Sequence, residues 1–76
     1  SLGWTYYRLG DLSAAEDYLA RAYDELKDAE VAAHYGEVLW QLDKQRQAKK
    51  VWRKALQEHP KAQILQETLK RFKVEL

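Results

Sequence analysis

Glu30, His34 and Glu37 stand at i, i+4 and i+7, so on a helix three potential metal ligands share one face. Two carboxylates and an imidazole hold zinc or a related divalent ion when a fourth donor converges on them. No fourth ligand emerges, and open helical surfaces produce such triplets often, so the spacing argues for a solvated face without metal or other cofactor. The second histidine, His59, sits beside Pro60, and no nucleophile comes with both a base and an orienting acid. Cysteine is absent, which removes disulfides, thiolate metal sites and thiol nucleophiles and leaves the redox compartment open. Gly3, Gly10 and Gly36 are isolated and cannot form a phosphate-cradling loop. These residues predict neither an enzyme nor a small-molecule substrate.

The elements that would carry any function are helices. Seventy-six residues, 46% apolar and 33% charged with a net charge of +1, suffice for one small soluble domain. Such a domain buries only about 60% of its unfolded surface and is marginal alone. No apolar run approaches the ~18 residues of a membrane span, and the N-terminus has no signal-like core. Sliding the chain by 33 residues lays Gly3 on Gly36, Leu9 on Leu42, Ala15 on Ala48 and Ala22 on Ala55, with Tyr6/Leu39, Tyr7/Trp40 and Leu19/Trp52 as conservative pairs. One unit is therefore repeated, and its apolar positions run at helical spacing. The expected helices cover 1–9, 12–26, 29–42, 44–58 and 61–74, joined by turns too short for anything but antiparallel neighbours. Gly10 can end the first helix in the left-handed conformation, and Asp11 or Ser13 can cap the second, with Ser13 and Glu16 reading as a capping box. At the matching break Asp43 replaces glycine at some conformational cost. Pro60 ends the fourth helix and Lys27-Asp28 breaks the chain less forcefully.

Gly36 sits inside a helix, where glycine costs roughly 0.5–1 kcal/mol against alanine. Gly3 repeats it one unit earlier. Both glycines, with Ala15, Ala22, Ala48 and Ala55 opposite, are expected to let paired helices approach closely, while Tyr6, Leu9, Leu19, Leu39, Leu42, Trp52 and Leu56 fill the space between layers.

These residues resemble the tetratricopeptide-repeat signature, W-x2-L-G-x2-Y followed by A-x3-F and P. The matches are Leu2-Gly3-x2-Tyr6 with Ala15-x3-Leu19 and Ala22, then Ala32-x2-Tyr35-Gly36-x2-Leu39 with Ala48-x3-Trp52, Ala55 and Pro60. The period is one residue short of the usual 34, assigned to a deletion between Lys27 and Glu30. Residues 1–60 are covered. The resemblance implies an all-α solenoid fragment of stacked antiparallel hairpins, a single domain 1–76 made of a truncated first repeat 1–28, a second repeat 29–60 and a capping helix 61–76. Leu69 falls where a further repeat would place its small residue, so the array is expected to stop. Ser1 would begin inside a helix whose earlier half is missing, at the C-terminal end of a longer array. The runs LGWTYYRLGDL, EVAAHYGEVLW, AKKVWRKAL and ILQETLKRF are similar to the C-terminal repeats of proteobacterial TPR lipoproteins. That likeness implies a location facing the periplasm from the outer membrane and a role as an adaptor, in some such proteins for a processing protease.

In such arrays the first helix of each pair lines a concave groove for peptides. Carried over, the resemblance implies a partner-binding groove of Trp4, Tyr7 and Arg8 from the first unit and Glu30, Ala33, Glu37, Trp40 and Gln41 from the second. Aromatics beside two glutamates would suit a peptide with an apolar anchor and a basic neighbour. Domains of this family that clamp a chaperone's terminal carboxylate resemble one another in a basic, asparagine-containing set, and this chain has no asparagine. Charge is segregated, with net −5 over residues 1–38 and +6 over 39–76. Lys44, Arg46, Lys49, Lys50, Arg53 and Lys54 form a basic stripe that could contact phosphates. The repeat offset, however, sets Glu16 and Asp17 beside Lys49 and Lys50, and attraction between layers accounts for the pattern without nucleic acid. The function expected is a protein-interaction scaffold, non-enzymatic and cofactor-free. The alternative is a self-association or intramolecular stacking module, including a homodimer through an exposed N-terminal layer.

Overall fold

The computed structural model describes residues 11–76, so the helix expected over 1–9, and with it Gly3, Trp4, Tyr6, Tyr7, Arg8 and Gly10, lies outside the described residues. Four helices follow: α1 (Leu12–Leu26), α2 (Ala29–Gln41), α3 (Gln45–Glu58) and α4 (Gln63–Phe72), with no strand among the described residues. Within the described residues the chain forms the antiparallel helical stack expected from the periodicity.

The helix boundaries have local causes. Asp11 caps α1, its Oδ1 accepting from the Ala14 N–H at 3.1 Å. Asp28 caps α2 in the same way, accepting from the Glu30 N–H at 3.1 Å. The Ser13/Glu16 capping box does not form, because α1 already begins at Leu12 and Glu16 reaches instead to Lys44. Asp43 adopts the left-handed φ of 64° that its place in the sequence demanded. The Lys44 N–H then bonds the Leu39 carbonyl at 2.8 Å and the Asp43 N–H bonds Trp40 at 3.0 Å, closing α2 in a Schellman motif. The same motif ends α4, with Lys73 left-handed and the Val74 N–H on the Leu69 carbonyl. This closure stops α4 at Phe72, short of the expected 74. Its start moves from 61 to Gln63 because a turn joins the Ala62 N–H to the His59 carbonyl.

α2 is the centre of the arrangement and packs against all three other helices. Ala32, Ala33, Gly36, Glu37, Val38 and Leu39 are all buried. On one side Val38 meets Ala15 and Leu19 of α1, and on the other Leu39, Ala32 and Ala33 meet Ala48, Trp52 and Ala55 of α3 and Leu65 of α4. Ala22 is only half-buried and lines an open cleft with Tyr18, Arg21, Glu25 and Leu26, unlike Ala55 at the matching position.

The role of Gly36 is more specific than close approach of two backbones. A Cβ there would lie within 2.7 Å of three atoms of the Trp52 indole. The indole itself is wholly buried, and its Nε1–H donates to the Ala33 carbonyl at 3.4 Å. Glycine at 36 thus provides the space in which the ring of 52 lies flat on α2.

Two substitutions follow with opposite signs. Gly36→Ala should gain up to about 1 kcal/mol of helix propensity yet lose about 1–3 kcal/mol to overpacking, because an aromatic ring wedged in a core cannot swing away. Thermal melting should show a lower midpoint, and a raised midpoint would refute the contact. Asp43→Gly should stabilise by roughly 1 kcal/mol, since glycine adopts the left-handed conformation without a Cβ penalty. Denaturant unfolding with an unchanged slope and a higher midpoint is the expected result.

Candidate interaction surface

Glu30, His34, Glu37 and Gln41 form one stripe along α2, with Trp40 at its flank. α4 lies against this side of the helix. Its Arg71 pairs with the Glu37 carboxylate, which is 3% exposed, while the Arg71 side chain as a whole is largely exposed. Phe72 completes a three-ring cluster, with centroids 6.0 Å from Trp40 and 5.9 Å from Trp52, and the two tryptophans stack at 5.8 Å. Arg71 also lies over the Phe72 ring at 5.1 Å, a cation–π contact that holds the guanidinium in place.

Of the second-repeat residues implied for the groove, Ala33 and Glu37 are therefore covered, Trp40 is half-buried, and Glu30 and Gln41 are exposed. Trp4, Tyr7 and Arg8 lie outside the described residues. Glu37 is neutralised by Arg71, so the surface presents Glu30 as its open carboxylate instead of the acidic pair read from the sequence. The three residues that suggested a metal face do not converge, since Glu37 turns to Arg71, and among the described residues no group of three such side chains could hold an ion. Arg71 and Phe72 were missed by sequence reasoning as shapers of this surface. The signal was present: Leu65, Leu69 and Phe72 recur at helical spacing and mark the face of α4 that must be buried.

The basic stripe also differs from expectation. Glu16 pairs with Lys44, both carboxylate oxygens within 3.0 Å of Nζ, and not with Lys49 or Lys50. Asp17 pairs with Arg21 in its own helix at 2.8 Å. Lys44 lies at the start of α3 and therefore reaches the first turns of the parallel α1 more readily than residues a turn further on. At the other end of these two helices the His59 Nε2–H donates to the Lys27 carbonyl at 2.9 Å. Arg46, Lys49, Lys50, Arg53 and Lys54 have no ion-pair partner among the described residues. Like charges at i,i+3 and i,i+4 along this face cost about 0.2–0.5 kcal/mol per pair.

Comparison with known proteins finds a family likeness over part of the chain. Residues 1–25 match the family model of the tetratricopeptide repeat. A TPR repeat-containing protein of Pseudomonas aeruginosa is 54% identical over 37 residues, 49% of this chain and 6% of that protein. The chain thus spans a small fraction of the length of this relative. No solved structure shows a significant match.

His34 gives the surface a pH dependence. Burial lowers its pKa from the ordinary 6.5, with the Glu30 charge opposing. Below 6.5 the unfolded chain takes up a proton that the folded chain resists, so stability is full above that value and is lost as pH falls through the lowered folded value. His34→Gln should flatten the melting midpoint against pH in this acidic window, and an unchanged slope would show that His34 does not contribute.

Proposed function

We propose, from the premise that this chain belongs to the tetratricopeptide-repeat family, that it is a protein-interaction scaffold that takes a peptide along α2. Repeats of this family generally mediate protein–protein contacts and serve as scaffolds instead of enzymes. The observation that carries the finer reading is the stripe left open once α4 has packed, with Glu30 and Gln41 exposed and the half-buried His34 and Trp40 between and beside them. Glu30 and Gln41 offer a carboxylate and an amide for a peptide's donors and acceptors. The edge of Trp40 offers an apolar anchor point, held rigid by Trp52 and Phe72 and so ordered at little entropic cost. Ala33 and Glu37 support this surface from beneath. Trp4, Tyr7 and Arg8 would extend it from the first repeat, and in a longer array the groove would continue further.

A second reading rests on α1. Leu26 is 65% exposed and borders the cleft lined by Tyr18, Ala22 and Glu25, a surface that another helical layer or a second copy could cover.

Trp40 is a poor test residue, because its removal would open the ring cluster. Glu30→Lys with Gln41→Ala changes only exposed groups. Peptides enriched from a displayed random library on the wild-type chain should bind this double variant at least about tenfold more weakly, ~1.4 kcal/mol, with unchanged helical circular dichroism. Equal affinity, or a chain that enriches no peptide and sediments as a dimer, would overturn the groove in favour of stacking.

A further inference from the structure

The outward face of α3 carries Arg46, Lys49, Lys50, Arg53 and Lys54 within one arc of the helix, continued by Gln57 and free of carboxylates. The opposite face, Ala48, Trp52 and Ala55, is wholly buried, so the basic face cannot rotate inward. The corresponding positions one repeat earlier include Glu16, Asp17 and Asp24, and each of these acids is already matched, by Lys44, Arg21 and Lys27. These three acids are thus satisfied within the fold, whereas the five bases of α3 have no ion-pair partner among the described residues. Five cations spaced three and four apart repel one another, and α3 also begins without an acidic residue or a side-chain cap in its first turn. Nothing in the fold requires this arrangement, since the buried face alone fixes the helix.

We propose that the outer face of α3 docks an acidic polypeptide segment of a partner protein. The site uses none of the α2 stripe and stands independently of the groove. Its size sets the ligand. Fourteen helical residues extend about 20 Å, a length matched by about six residues of extended chain, and Arg46 to Lys54 occupy most of it. Lys44 on Glu16 and His59 on the Lys27 carbonyl hold α3 parallel beside α1. A stripe of this length is filled by a short acidic segment, which it favours over an extended nucleic acid. Base stacking has no platform here either, because Trp52 is buried and Trp40 is packed against Trp52 and Phe72.

The test uses octaglutamate as the probe and an eight-nucleotide single strand as its competitor in class, titrated against the whole chain at low and physiological salt. Octaglutamate should bind at low salt, weaken by about tenfold or more as salt screens the stripe, and raise the melting midpoint by relieving repulsion within α3. Lys50→Ala, Arg53→Ala and Lys54→Ala combined remove three exposed charges and should abolish binding while raising the midpoint of the free chain. Absence of binding at low salt, or binding unaffected by the triple substitution, would overturn the proposal. Tighter binding of the oligonucleotide than of the peptide would overturn it in favour of a nucleic-acid surface.

Discussion

The contact between Gly36 and the Trp52 indole is the constraint on which the rest depends. A side chain at 36 would occupy the volume of the ring, and a smaller residue at 52 would leave the indole-shaped space empty. The ring in its place sets the separation of α2 and α3, satisfies its own N–H on Ala33, and presents a flat surface on which Trp40 and Phe72 assemble. α4 is therefore seated on a surface that α2 and α3 build together, and Leu65 enters the same core. Through that seat the glycine also decides which residues of α2 remain open, because the helix bound there covers Ala33 and Glu37 and leaves Glu30 and Gln41.

Much of this was legible in the sequence for physical reasons. The 33-residue recurrence of small and large residues reports on the buried face, where packing tolerates few alternatives, and so α1 was bounded to the residue and the other described helices to within two. The left-handed Asp43 was legible because glycine stands at the matching break one repeat earlier and an aspartate there must adopt the same backbone. What sequence spacing could not supply was the reach of long side chains. Lys44 and not Lys49 finds Glu16, and Arg71 finds Glu37 across the surface, because lysine and arginine span several ångströms beyond the position of their Cα. The groove residues suffered from the same limit. A helical face can be read from periodicity, but whether the next helix lies over that face depends on packing elsewhere. The ring cluster around Trp52 decided that for Ala33 and Glu37.

Inner and outer surfaces obey separate rules in this chain. Ala15 and Ala48 hold matching places inside, Leu19 and Trp52 likewise, while at the outward positions Asp11, Glu16 and Asp17 are matched by Lys44, Lys49 and Lys50. Packing is indifferent to the sign of a solvated charge, since an exposed ion contributes little to stability in water. Electrostatic character can therefore change from one repeat to the next without disturbing how the hairpins fit. That independence is what allows one face of the fold to be acidic and self-satisfied and the next to be basic and open.

The central position of α2 has a consequence for how the molecule breathes. Because this helix contributes buried side chains to its interfaces with all three other described helices, exposing its backbone to solvent means dissolving those three interfaces together. The amide protons of its buried middle turns should therefore exchange with water more slowly than those of the outer turns of α1 and α3, which can fray locally. Among the described residues α2 is thus the most protected element, and the stripe proposed to take a peptide would meet its ligand on a rigid rail already in shape.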